Sequence, residues 1–266
     1  MNAYASEDDF ERIQRLVYKH TAIVISEAKR DFIRSRVSRR LRELGLNSIA
    51  EYCDYIDSGK EPVSTFTSQV TTNHTHFFRE RHHFSALIDH ISRTGLNNTI
   101  IWSAACSTGE EPYSIAIALL EKFGDVFTSG LKLRATDIDE KALSIAKNGV
   151  YDSVRIDPLS LPQKKQCCVR GIGKSVGKVR IKKPIREFIE FNTINLVEPL
   201  EISDRVNIIF CRNVIIYFDR ESKIKIFENF AKIQLPGDLL FVGHSESLND
   251  ICSAYECIGN TVYRRK

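Results

Sequence analysis

Thr99-Ile-Ile-Trp-Ser-Ala-Ala-Cys-Ser-Thr-Gly-Glu-Glu-Pro-Tyr113 decides the fold. Thr99 to Ser103, rich in β-branched and aromatic residues, reads as a buried strand. Ala104 to Glu110 is a turn of mostly small residues, and Pro112 suits the first turn of a helix that runs on to Phe123. The same order of strand, turn and helix returns downstream. Leu131 to Thr136 is a second strand, ending in Asp137-Ile-Asp139 before a helix around Lys141 to Lys147. Val206 to Cys211 is a third, followed by a helix over Arg220 to Ile233, and Asp238 to Gly243 makes a late strand. Alternating strands and helices predict an α/β architecture with a doubly wound, mostly parallel, Rossmann-like sheet.

Outward from this core the grammar changes. From Asp8 to about Ser68 the apolar residues step by three and four: Phe10, Ile13 and Val17, then Phe32, Ile33, Val37, Leu41 and Leu44 before Gly45. That period predicts an all-helical N-terminal domain over residues 1–70. Residues 71–92 form a connecting segment of polar and aromatic character, and residues 93–266 hold the α/β domain. Within it, Lys178-Val-Arg-Ile-Lys182 and Phe188-Ile-Glu-Phe191 alternate as strands, which predicts a small antiparallel β insert over about residues 165–192.

Composition excludes several classes. The longest apolar runs, such as Val214 to Phe218, fall far short of the roughly 20 residues that span a bilayer. Met1 to Asp9 is polar and acidic and lacks the basic start and apolar core of a secretory signal. The expectation is a cytoplasmic protein without membrane insertion. Seven cysteines without paired spacing fit free thiols rather than a disulfide framework or zinc site. His74, His76, His82 and His83 crowd one segment, but no carboxylate or cysteine set completes a ligand pattern, so no metal is expected. Net charge is only +4, yet its distribution is uneven: Lys29 to Arg42 holds seven basic residues against Asp31 alone, and Gln163 to Arg186 holds nine and no acid.

Chemistry concentrates at the ends of the first two strands. The turn at Ser103 to Glu111 has a single glycine, Gly109, so it is neither a dinucleotide fingerprint nor a P-loop. Glu110 and Glu111 would repel a pyrophosphate and attract a cation, which fits a sulfonium cofactor with a free amino group. Asp137, 28 residues beyond Gly109, can accept hydrogen bonds from both ribose hydroxyls of an adenosine. Asp139 could instead cap the next helix.

Five ordered motifs carry a resemblance that covers the chain from about Asp8 to Tyr263. Thr71-Thr-Asn-His-Thr-His-Phe-Phe-Arg-Glu80 with His82-His-Phe84 resembles the signature of the chemotaxis receptor glutamate methyltransferase family. So do Trp102-Ser-Ala-Ala with Ser107-Thr-Gly-Glu-Glu-Pro-Tyr-Ser114, Thr136-Asp-Ile-Asp139, Phe210-Cys-Arg-Asn-Val-Ile-Ile-Tyr-Phe-Asp219 and Gly243-His-Ser-Glu246. The resemblance implies a class I S-adenosylmethionine methyltransferase that esterifies receptor glutamates and leaves S-adenosylhomocysteine. It further implies that Asn73, Thr75 and Arg79 reach the cofactor from the connecting segment, that Glu111 and Asp137 hold its amino-acid end and ribose, and that Asn195, Leu196, Arg212 and Asn213 complete the pocket. Arg79 and Tyr217 would be the catalytic pair. His74 and His76 stand where this family commonly has other residues, and Cys106 where it often has alanine.

The expected partners are receptor cytoplasmic domains, met through the basic helix Lys29 to Arg42 and the β insert, by a monomeric protein. Two rival readings compete with this one. A nucleic-acid methyltransferase would use the basic insert on phosphates, but Arg212-Asn-Val-Ile-Ile-Tyr217 stands where an Asn/Asp-Pro-Pro-aromatic loop would be expected, so no nucleic acid is anticipated. A non-catalytic receptor-binding module is opposed by the presence of Arg79, Glu111, Asp137 and Tyr217.

Overall fold

The computed structural model describes residues 7–71, 73–127, 129–202 and 204–266, with Glu7 and Asp8 as backbone alone. Most of the segment tested for a secretory signal, and Thr72 of the first motif, lie outside the described residues.

The helical domain consists of α1 (Glu7–Thr21), α2 (Arg30–Leu44), α3 (Ile49–Asp57) and α4 (Val63–Val70). Its core follows the sequence period: Phe10, Ile13, Leu16 and Val17 of α1 meet Ile33, Val37 and Leu41 of α2 and Tyr52, Cys53 and Ile56 of α3. Gly45 ends α2 in the left-handed conformation, φ 70°, where a side chain would be strained. Not all of the basic helix faces outward. Arg40 makes a two-pronged pair with the buried Glu61 at 2.8 and 2.9 Å, and Arg36 donates to the carbonyls of Gln69 and Thr71 at the end of α4. Those two cations fasten the domain's own exit.

The chain then runs through a loop into α5 (His82–Thr94) and enters the α/β domain through β1 (Ile100–Ala104), α6 (Glu110–Phe123), β2 (Lys132–Asp137) and α7 (Glu140–Asn148). Next come β3 (Val150–Asp152), α8 (Leu161–Cys167), β4 (Cys168–Arg170), β5 (Lys178–Ile181), α9 (Lys183–Phe188) and β6 (Ile189–Thr193). The remaining elements are β7 (Ile208–Cys211), α10 (Arg220–Ile233), β8 (Leu239–Val242), β9 (Tyr255–Gly259) and β10 (Val262–Arg265).

Seven strands form one sheet in the order β6-β2-β1-β7-β8-β10-β9. All neighbours are parallel up to β8, and β10 runs antiparallel between β8 and β9. Strand alternation sorts the core into two faces. Ile101, Phe210 and Phe241 join the cluster under α5 and α6, whereas Trp102, Ile209 and Leu240 join the one under α10. Trp102 is fully buried and its indole N–H reaches Thr136 Oγ1 at 3.0 Å, which removes the penalty of burying that donor.

The insert differs from its predicted composition. The alternation predicts Phe188 to Phe191 as one of its strands, but Ile189–Thr193 pairs in parallel with β2, Leu133 opposite Ile189, at the edge of the main sheet. The antiparallel sheet is instead β3-β5-β4, so it draws on Val150–Asp152 and stops at Ile181 rather than running over about residues 165–192. Alternation reports that one face is buried; it does not report against which sheet, and an edge strand of the main sheet shows the same pattern. The terminal hairpin β9–β10, announced only by the Gly259-Asn260 turn, was not among the expected elements.

Candidate active site

The strand order reverses between β1 and β7, and at the carboxyl ends of β1, β2 and β7 the chain leaves a cleft. Open α/β sheets bind ligands at such a switch point because the loops on either side diverge. The cleft wall brings together Asn73, Thr75, Arg79, Glu111, Asp137, Asn195, Leu196, Arg212, Asn213 and Tyr217.

Backbone strain marks the floor. Ala105 and Ser107 both hold positive φ, 60° and 50°, a costly conformation for residues with a side chain. At Gly109, φ 96°, a Cβ would lie 2.7 Å from Ala146 Cβ, so only glycine lets this turn sit against α7. The tightened turn aims Ser107 N–H at Asp137 Oδ2, 2.7 Å away, while Asp139 N–H reaches Oδ1 at 2.9 Å. Asp137 is only 7% exposed. Burial pushes its carboxyl up to about 6, against the opposing pull of those backbone donors.

Asp139 does cap α7, accepting from Lys141 and Ala142 N–H, but it also does more. Its oxygens take Ser68 Oγ at 2.6 Å, Thr71 Oγ1 at 2.7 Å and Asn73 Nδ2 at 2.7 Å. Burial alone would raise this carboxyl; the three side-chain donors outweigh it and hold the pKa below the usual range. Asn73 accepts from Ser107 Oγ at 3.2 Å as well. One carboxylate therefore fastens the end of the helical domain, the connecting segment and the floor of the cleft.

Arg212 organises the opposite wall. It is 5% exposed; Nη1 donates to Glu111 Oε2 at 3.0 Å, and Nη2 donates to the Arg79 carbonyl at 2.5 Å and pairs with Glu80 Oε2 at 3.0 Å. Glu111 also accepts from Ser103 Oγ at 2.7 Å. Burial raises the Glu111 carboxyl, an effect that Arg212 and Ser103 only partly offset. Glu80 also feels burial, but the combined pull of Arg212, Asn213 Nδ2 and His244 N–H lowers its pKa below the ordinary carboxylate value.

The turn that carries Arg79 is itself strained, with Phe78 at φ 53° and Glu80 at φ 57°. Ser114 Oγ accepts Phe78 N–H at 2.9 Å on one side, and Arg212 holds the Arg79 carbonyl on the other. The Arg79 side chain donates to the His74 carbonyl at 3.1 Å and has no carboxylate partner among the described residues. Tyr217 ends a short 3-10 turn, Ile215–Tyr217, that follows Asn213 (φ 59°). The buried Glu246 fixes this loop, accepting N–H bonds from Asn213, Ile215, Ile216 and Gly243 at 2.6–3.3 Å. The Tyr217 hydroxyl is raised by burial, with Arg79 pulling the other way. Leu196 is buried on the far wall, where Asn195 donates to the His20 carbonyl.

Sequence reasoning missed Glu80, Ser107 and Glu246, and it credited Asp139 only with a cap. The signal for all three was their place inside the quoted motifs. His74 and His76 line the cleft rim. No group of three or more His, Cys, Asp or Glu among the described residues is arranged to hold a metal. All seven cysteines are free, and burial pushes the Cys167 and Cys168 thiols up to about 11, which makes thiolate chemistry there unfavourable.

Residues 73–264 match the family described as CheR methyltransferase, SAM binding domain, and residues 8–71 match CheR methyltransferase, all-alpha domain. Chemotaxis protein methyltransferase 2 of Pseudomonas aeruginosa is 41% identical over 97% of this chain and 93% of its own. The chemotaxis protein methyltransferases of Salmonella typhimurium and Escherichia coli are 38% and 37% identical, each over 97% of this chain and 90% and 91% of theirs. No helix among the described residues is long and apolar enough to cross a membrane. With both of its domains matched and its relatives covered nearly end to end, the chain belongs to the CheR methyltransferase family and is an S-adenosylmethionine-dependent chemotaxis methyltransferase.

Proposed function

We propose that the protein methylates glutamate side chains on the cytoplasmic domains of chemotaxis receptors, forming methyl esters. One observation carries this reading: the charges lining the cleft are divided. Glu111 lies in the first turn of α6, beyond β1, and Asp137 at the end of β2, whereas Arg79, without a carboxylate partner among the described residues, lies toward Tyr217. An anionic acceptor suits the second side and a cationic cofactor the first.

The residues present fit S-adenosylmethionine. Glu111 would hold its amino group, Asp137 its ribose hydroxyls, and Asn73, Thr75, Arg79, Asn195, Leu196, Arg212 and Asn213 would close the pocket around it. When bound, the cofactor supplies an electrophilic methyl group on a sulfonium. A glutamate carboxylate is already a nucleophile at neutral pH, so the protein need not abstract a proton. Arg79 presents a planar fork that orients the carboxylate, and Tyr217 lines its approach. Such positioning is worth up to about 7–11 kcal/mol in ideal cases.

Asp137 gives this reading a pH signature. Its carboxylate accepts ribose hydroxyls better than the neutral acid does, and its pKa is pushed up to about 6. Affinity for S-adenosylhomocysteine is therefore expected to be level above that pH and to fall below it, by up to about tenfold per pH unit. Calorimetric titration between pH 5 and pH 8 reads the slope, and Asp137→Asn should flatten it; a wild-type affinity independent of pH would remove the ionised Asp137 from the site.

The functional test is transfer of labelled methyl to a receptor cytoplasmic fragment, with nucleic acid as the control acceptor. Label released from glutamate by esterase or mild base supports the proposal. Label on nucleic acid alone overturns it, and cofactor binding without any transfer favours a non-catalytic binding module. The outward cations of α2 and of the basic insert are the surfaces through which a monomer in the cytoplasm would meet the acidic methylation helices.

A further inference from the structure

Ser107 and Glu111 line the cleft, whereas Thr108 and Glu110, which stand between them in sequence, are buried and stay off its wall. The hidden pair is gripped from the β insert. Tyr151 of β3 donates its hydroxyl to the Thr108 carbonyl at 2.7 Å. Arg155, in the 3-10 turn Ser153–Ile156 that follows β3, donates from Nη2 to Thr108 Oγ1 at 3.3 Å and makes an ion pair with Glu110 Oε1. Its guanidinium lies 5.7 Å from the centre of the Tyr151 ring, so the two insert residues brace each other.

The hydrogen-bond accounting makes Arg155 hard to replace. Thr108 has one hydroxyl proton and gives it to Glu110 Oε2 at 2.7 Å, which leaves an oxygen lone pair for Arg155. The Glu110 side chain is fully buried, and among the described residues its Oε1 has no hydrogen-bond donor beyond the ion pair with Arg155. Burial raises the Glu110 carboxyl, and Thr108 followed by Arg155 oppose that rise. The turn itself is under strain, with Ser107 at φ 50° and Gly109 at φ 96°. Such conformations persist where their surroundings over-determine them. On the cleft side Asp137 holds Ser107 N–H, and Arg212 holds Glu111; on the hidden side the insert supplies the grip.

We propose that Arg155 is a positioning residue for the cofactor: by neutralising Glu110 and holding Thr108, it fixes the strained turn whose flanking residues, Ser107 and Glu111, meet S-adenosylmethionine. This rests on the cofactor placement proposed above. Without the guanidinium a buried carboxylate is left uncompensated, and rotation of the turn toward water relieves it. That rotation draws Ser107 away from Asp137 and Glu111 away from Arg212. Cofactor affinity then falls by the fraction of molecules that keep the competent turn. Arg155 therefore works inside the protein, in contrast to the outward cations of the insert.

The test is calorimetric binding of S-adenosylhomocysteine to the full chain at pH 8, beside chemical denaturation without ligand. Arg155→Met keeps an apolar stem against Tyr151 and removes the charge; Arg155→Lys keeps a charge without the fork; Glu110→Gln with Arg155→Met removes both members of the pair. The Met variant is expected to bind roughly tenfold more weakly. Lysine should recover part of that loss, and the double variant should bind more tightly than the Met variant, because the carboxylate that needed compensation is gone. A Met variant with wild-type affinity overturns the proposal even if its unfolding midpoint falls, since Arg155 then only stabilises the fold. A double variant no better than the Met variant overturns it as well. Asp137→Asn is the control for the cofactor placement. If it weakens binding and Arg155→Met does not, Arg155 alone loses its role; if neither weakens binding, the cofactor placement falls too.

Discussion

Arg79→Ala is expected to lower kcat/KM for methyl transfer to a receptor fragment by roughly a hundredfold or more, with S-adenosylhomocysteine affinity within a few-fold of wild type. The separation follows from how the residue is held. Its backbone carbonyl is fixed by Arg212 at 2.5 Å, and its neighbours Phe78 and Glu80 are anchored to Ser114 and to Asn213 with His244. None of those contacts uses the Arg79 side chain. Truncation therefore removes the fork proposed to hold the acceptor and spares the turn that carries it. Charge-assisted hydrogen bonds are worth about 1.5–3 kcal/mol each, so loss of a two-pronged contact reaches a hundredfold or beyond. Arg79→Lys should recover only part, because a point charge lacks the planar fork. Normal transfer by the alanine variant would take Arg79 out of the mechanism.

Arg212→Met is expected to damage stability and both halves of the reaction together. Arg212 is buried, and it neutralises Glu80 and Glu111 while tying the Arg79 carbonyl to the end of β7. Removing it leaves two carboxylates without their cation, and breaking a buried pair in this way typically costs about 3–5 kcal/mol. Chemical denaturation should show a loss of that order, and cofactor affinity should fall because Glu111 is no longer held. The deficit has a pH sign. In the variant both carboxylates bind protons more readily, so the stability gap to wild type narrows as pH falls, since the neutral acids no longer need the cation. An unfolding midpoint equal to wild type at neutral pH would show that the arginine is not the keystone of this wall.

The contrast between the two arginines shows where motif reading stops. Both lie in ordered motifs and both line the cleft, yet Arg212 faces inward onto two carboxylates and a carbonyl, whereas the Arg79 side chain, among the described residues, donates to the His74 carbonyl and has no carboxylate partner. Glu80 shows the same gap: beside Arg79 in sequence, it turns away to anchor His244 and Asn213 from 164 and 133 positions away. Ser68, Thr71 and Asn73 converge on Asp139 from about 70 positions upstream, which no local pattern announces.

By itself the sequence determined the helical domain, the alternation of strands and helices, and the placement of Gly109 in the turn after β1 and of Asp137 at the end of β2, because hydrophobic period and turn chemistry are local properties. It also placed the chain among chemotaxis methyltransferases through motifs whose order survives in one dimension. Only the tertiary structure decided that Ile189–Thr193 closes the edge of the main sheet rather than the insert, that Asp139 is a junction of three segments, and that Lys29 of the helical domain sits over Tyr217. These depend on pairings between residues far apart in the chain. Neither strand partner nor charge partner is encoded in the spacing of either member; both are chosen when burial forces each polar group to find its complement.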